Sequence, residues 1–168
     1  QLLWINLVTD GLPALALSID PISENVMKKP PRNPRENIIT KTMIYHIVIT
    51  GILMAAIVLT LFRLNLDSVI RAQTIAFTTV VILEMVRVQM IRAQYKLKFF
   101  SNKWLIVAIA SSILLQLVVV YIPGLNTIFK TTPLNLNDWI AILIGGVTMF
   151  VLGMLANHIV KRITKQVD

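Results

Sequence analysis

Between Thr42 and Phe62 the chain runs for 21 residues without a charged side chain. Wound as a helix rising about 1.5 Å per residue, that run crosses the roughly 30 Å hydrocarbon core of a bilayer. Comparable apolar runs occupy 2–19, 72–91, 104–122 and 139–159, separated by polar connections. In lipid every backbone N–H and C=O must find a partner inside the protein, which helices achieve segment by segment. The expected fold is therefore all-α, a polytopic membrane bundle of five transmembrane helices. Composition agrees, with 56% of the 168 residues hydrophobic and 14% charged.

The first of these runs, QLLWINLVTDGLPALALSID, carries Asn6, Thr9 and Asp10 inside apolar sequence. Their i, i+3, i+4 spacing places three oxygen-bearing side chains on one helix face. Pro13 lacks an amide hydrogen and clashes with the carbonyl four residues back, that of Thr9, while Gly11 tolerates non-helical angles. The helix is therefore expected to break near Thr9–Pro13, with Gly11 and Pro13 as the breakers. Carbonyls released there, with the Asp10 carboxylate, could coordinate a cation. The alternative is a Pro-kinked helix whose polar groups bond to neighbouring helices. Burying an aspartate in a membrane costs about 2.5–3.5 kcal/mol, which no purely structural role requires.

LLWINLVTDGLPALAL, followed by Asp20-Pro21 and then KKPPR, resembles the sixth transmembrane helix and next loop of P-type cation-transporting ATPases, with the sarco/endoplasmic reticulum calcium pumps as the nearest group. The resemblance implies that Asn6, Thr9 and Asp10 are cation ligands and that Ca2+ is the transported ion. It also implies that this is the C-terminal half of the membrane domain, helices six to ten, with the fourth and fifth helices completing the site. ATP and Mg2+ would then belong to domains outside this sequence, where the aspartyl phosphate forms. A first residue that is Gln rather than Met fits a piece of a longer chain.

The 20–41 connection holds four prolines and basic residues from Lys28 to Lys41, the pattern of an extended, semi-rigid loop. It is either a solvated basic loop or, as the resemblance implies, a contact for the phosphorylation domain. Thr42–Phe62 contains Gly51 and Ala55, four apart, a face suited to close helix packing. The 72–91 run contains Glu84 and Arg87, three residues apart on one face. Two readings stand side by side. In one they form a buried ion pair, with Arg87 reaching for the interface. In the other Glu84 is a cation ligand opposite Asp10, as VILEMV resembles the eighth helix of the calcium pumps. Arg87 departs from that pattern and, near the site, would act as a modulator, lowering the cation charge it can hold. Beyond it, Pro123 and Gly124 end the fourth run, Asn137 or Asp138 is expected to cap the fifth, and Gly145, Gly146 and Gly153 suit close packing there.

Basic residues follow topology. Twelve of the sixteen lie in the 20–41 loop, the 92–103 loop and the C-terminal tail, which five spans would place on one side. That side is expected to be cytoplasmic, with the fragment's N-terminus outside and its C-terminus inside. The same scatter argues against nucleic acid as a partner. Tyr95, Phe99, Phe100 and Trp104, interleaved with lysines, read as an interfacial belt at the bilayer. With no cysteine and no phosphate-binding glycine loop, the stretch by itself should hydrolyse nothing. The expected function is the ion-translocating segment of an ATP-driven P-type calcium pump. Proton, sodium or manganese pumps, and a non-enzymatic membrane scaffold, remain as alternatives.

Overall fold

A computed structural model describes residues 1–20, 41–94, 97 and 99–164, without the side chains of 9, 10, 41, 42 and 161–164. Every secondary-structure element among the described residues is a helix: α1 (Leu2–Ile5), a π-helical stretch (Asn6–Gly11), α2 (Leu12–Ser18), α3 (Lys41–Leu64), α4 (Val69–Gln94), α5 (Lys103–Tyr121), α6 (Leu125–Phe129) and α7 (Leu136–Thr164). Apart from Asp20 and Lys41, the 20–41 loop lies outside them, as do Tyr95, Lys96 and Lys98 of the aromatic-basic connection.

Among the described residues, four helices are long and apolar enough to cross a membrane, within Met43–Leu64, Val69–Gln94, Lys103–Tyr121 and Leu136–Val160. The expected count was five. The first run forms a shorter apolar helix, Leu2–Ser18, which at about 1.5 Å per residue reaches only about 26 Å.

Helix ends follow local chemistry. Ile122, which precedes Pro123, is driven out of the helical region to φ −80°, ψ 121°, so α5 stops at Tyr121. Gly124 then adopts φ +92°, a conformation open to glycine and strained for other residues. At the start of α7 the expected cap is displaced. The helix begins at Leu136, and Asp138 is its third residue, with Oδ2 accepting from the Asn135 N–H at 2.9 Å. That is the returning half of a capping box, in which the third residue, not the first, supplies the carboxylate. Asp138 also receives Arg71 Nη2 at 2.6 Å and Nε at 3.3 Å. Arg71, just outside the 72–91 run read from the sequence, thus belongs to the first turn of α4 and joins it to α7.

The long helix α4 is the centre of the bundle. More than half of its apolar window is buried, against none of that of α3. α4 packs with α3 and α7 through Leu83, Met90 and Met149, surrounded by Met54, Ile57 and Val86. On its other side Phe77 and Val81 meet Val119 of α5 together with Trp4 and Ile5 of α1. α2 lies along α5, where Ala16 packs on Leu105 and Ala108.

The glycines of α7 sit at these contacts: a Cβ on Gly146 would lie 3.7 Å from Ile82, and one on Gly153 would collide with the end of Met90. Gly51 has nothing within 4 Å, and both it and Ala55 are exposed, so the close-packing face expected on α3 is unused among the described residues. A Cβ on Gly145 would stand 3.0 Å from Cγ2 of Ile57, a β-branched side chain with little rotamer freedom. Gly145→Ala is therefore expected to destabilise the α3–α7 contact by about 1 kcal/mol, read as a lower midpoint of thermal aggregation in detergent. A midpoint equal to wild type would show that the two helices have room to part.

Candidate functional site

The oxygen-bearing segment is a single wide turn. Asn6–Gly11 is π-helical, and the residues that bound it stay in the right-handed region, with Ile5 at φ −54°, ψ −56° and Leu12 at φ −65°, ψ −48°. The expected break is thus a change of winding and not an uncoiled segment. Bonding from i to i+5 instead of i to i+4 inserts one extra residue into the turn and re-aims the groups on either side. Pro13 falls in the first turn of α2, and because the winding runs on from the π stretch, its missing N–H leaves one carbonyl of that stretch without a helical partner. Gly11 has φ −65°, ψ −56°, so the freedom expected of it is not used.

The turn rests against α4 and α5. Val8, inside it, is buried, and its carbonyl accepts the Ser112 hydroxyl of α5 at 3.0 Å. One turn earlier, Trp4 stacks edge-on against Phe129 with ring centroids 5.1 Å apart. Next to these contacts α4 and α5 share a polar link, Gln116 Nε2 donating to Thr78 Oγ1 at 3.1 Å, with both residues fully buried. Asn6 is exposed. The backbones of Thr9 and Asp10 belong to the π turn, while their side chains lie outside the description.

Glu84 lies on α4, with its side chain 16% exposed, and Oε2 is 2.8 Å from Nη2 of Arg87. The ion pair weighed from the sequence is therefore formed, and Arg87, at 42% exposure, extends toward the surroundings. Among the described residues no group of three or more His, Cys, Asp or Glu is gathered. The expected ligand set holds only two carboxylates, Asp10 and Glu84, and would rely on amide, hydroxyl and carbonyl oxygens for the rest.

Sequence reasoning overlooked the polar residues that fasten this segment. Ser112 and Gln116 looked like mild polarity in an apolar run, Thr78 drew no notice, and Arg92 was counted in the basic 92–103 connection. Arg92 is 2% exposed and pairs with Asp20. A signal existed: Asp20 directly follows α2, where the helix dipole disfavours an anion, so a cation partner was called for. Ser112→Ala is expected to cost about 0.6 kcal/mol in stability, the usual size of a hydrogen bond between membrane helices. An equal loss from Ser111→Ala, which removes a hydroxyl beside it, would show that the Val8 contact is not the cause.

Residues 1–162 match the family described as cation transporting ATPase, C-terminus. A calcium-transporting ATPase of Bacillus subtilis (strain 168) is 37% identical over 169 residues, covering 96% of this chain and 19% of that protein. The human calcium-transporting ATPase type 2C member 1 is 36% identical over 176 residues, covering 100% of this chain and 18% of that protein. The chain therefore spans about a fifth of the length of the curated relatives it matches. These relatives are bacterial and type 2C proteins, so the likeness extends to calcium-transporting ATPases of those kinds and is not specific to the sarco/endoplasmic reticulum group.

Proposed function

The chain belongs to the cation-transporting ATPase family, as its C-terminal membrane part, and from that premise we propose that it forms helices six to ten of a calcium pump and half of its ion path. Asn6, Thr9, Asp10 and Glu84 supply oxygen ligands to the transported Ca2+, with Arg87 setting how much positive charge the site accepts. The observation that carries this reading is the π turn at Asn6–Gly11, which coincides with the three oxygen-bearing residues. Such turns are rare and are found preferentially at functional sites. A carbonyl of the turn already bonds outside its own helix, to Ser112, so its neighbours can be offered to a cation in the same manner.

The first helix completes the count of five spans, its short length being met by local thinning of the bilayer. Its outer face is apolar and open, with Leu2, Leu3 and Leu7 at 79%, 85% and 71% exposure, which suits lipid or the earlier helices of the longer protein. The excess of basic residues supports a cytoplasmic 20–41 loop and C-terminus. There the loop meets the phosphorylation domain, and ATP and Mg2+ bind in that part of the protein. Phosphorylation then shifts the helices between two states of unequal ion affinity, the physical condition for pumping.

The test is phosphoenzyme formation from ATP by the full-length protein, with calcium, manganese, sodium and proton concentration varied separately. Dependence on micromolar calcium is expected. Phosphorylation driven by sodium or protons alone would overturn the choice of ion, and no phosphoenzyme under any ion would favour a scaffold.

A further inference from the structure

Arg92 occupies the point where three helix ends meet: the C-termini of α2 and α4 and the N-terminus of α5. Its guanidinium grips Asp20 with two bonds, Nε to Oδ2 at 2.9 Å and Nη2 to Oδ1 at 3.0 Å. The remaining donors reach Ser101 Oγ at 2.7 Å, the Phe99 carbonyl at 3.1 Å and Gln89 Oε1 at 3.3 Å. Asn102 closes the arrangement. Its Oδ1 caps α5 by accepting from the Leu105 N–H at 3.0 Å, and its Nδ2 donates to the Ala16 carbonyl of α2 at 2.7 Å and to Asp20 Oδ1 at 3.1 Å. A fork of fixed donors satisfied this fully holds one geometry, which a lysine cannot reproduce.

We propose that Arg92 is a positioning residue for transport: by clamping Asp20 it makes the ends of α2, α4 and α5 move as one body. The proposal rests on the pump reading above. Asp10 lies ten residues before Asp20, about 15 Å along the helix, and Glu84 lies eight before Arg92, about 12 Å. Nearer the π turn, the Ser112–Val8 bond and the packing of Trp4 and Ile5 on Phe77 and Val81 hold the ligand-bearing segment independently. Loosening the clamp therefore leaves ion binding in place and weakens the joint movement of the three helix ends.

The experiment uses the full-length protein in sealed vesicles, comparing Arg92→Gln, Arg92→Lys, Asp20→Asn and the Arg92→Gln/Asp20→Asn double variant. Calcium-dependent phosphoenzyme counts the competent pumps and gives their ion affinity, and ATP-driven calcium uptake is expressed per phosphoenzyme. Uptake per phosphoenzyme is expected to fall about fivefold in both neutral single variants, with half-saturating calcium within about threefold of wild type. The double variant should be no worse than the poorer single one, since both remove the same contact. Arg92→Lys should recover only part. Fewer pumps with unchanged uptake per phosphoenzyme would overturn the proposal in favour of a simple brace, as would a loss of uptake explained by ion affinity. Should Arg92→Gln fail to insert, Asp20→Asn and Ser101→Ala give the same readout. An unmutated protein that forms no calcium-dependent phosphoenzyme overturns the pump reading itself, and the positioning role with it.

Discussion

Asp10→Asn in the full-length protein is expected to raise the calcium concentration needed for half-maximal phosphoenzyme formation about 100-fold, a loss of about 2.7 kcal/mol. The substitution keeps the shape of the side chain and removes its charge. Calcium affinity at oxygen sites is set largely by how many of the ligands are charged, and the proposed set has only two carboxylates. A second measurement sharpens the test, because the same change removes a carboxylate whose placement within a membrane costs about 2.5–3.5 kcal/mol. Thermal stability without calcium is therefore expected to rise while ion affinity falls. Opposite movement of the two quantities is the signature of a charge kept for function at the expense of stability. Unchanged ion affinity would remove Asp10 from the ligand set.

The proposed division of labour places ion contact at the π turn and mechanical hold at the helix ends. At one end of the bundle Arg71 and Asp138 tie α4 to α7, and at the other Arg92 and Asp20 tie α4 to α2 and α5. Between them the described contacts are mainly apolar, with single hydrogen bonds such as Gln116 to Thr78 among them. Packing of that kind lets helices shift by small steps while the ends stay registered. Such a frame suits a site whose ligands must rearrange between two affinities.

Hydropathy made the long helices legible because each needs only a predominantly apolar run of sufficient length. The 42–62 and 104–122 runs appear as α3 (Lys41–Leu64) and α5 (Lys103–Tyr121), and Pro123 stops α5 through its effect on Ile122. Register between helices was not legible. Arg92 and Asp20 are 72 residues apart, and Arg71 and Asp138 are 67 apart, so nothing local announces either pair. Counting Arg92 in a basic connection was reasonable for a residue at a helix end, yet five acceptor oxygens on four residues draw it inward. Gly51 and Ala55 misled for a related reason, since small-residue spacing gives a face without saying whether another helix comes to it. Around Thr9–Pro13 the sequence foretold a departure from α-helix. Glycine and proline permit several departures, and packing of Val8 under Ser112 goes with the one observed, a π turn.

Arg87→Gln is expected to tighten calcium binding about thirtyfold, or about 2 kcal/mol, the direction opposite to most substitutions in a membrane core. In the structure the Glu84 carboxylate is held by Arg87 at 2.8 Å, an ionised hydrogen bond of a kind worth about 1.5–3 kcal/mol. A cation recruiting Glu84 must displace or share that bond, and the guanidinium charge repels it throughout. Removing the guanidinium lifts both penalties, whereas Arg87→Lys keeps the charge and should leave affinity near wild type. Calcium dependence of phosphoenzyme formation distinguishes the two variants, and direct calcium counting shows whether the added negative charge admits another ion. Unchanged affinity in Arg87→Gln, accompanied by a lower thermal midpoint, would make the pair a structural brace and take Glu84 out of the ion path.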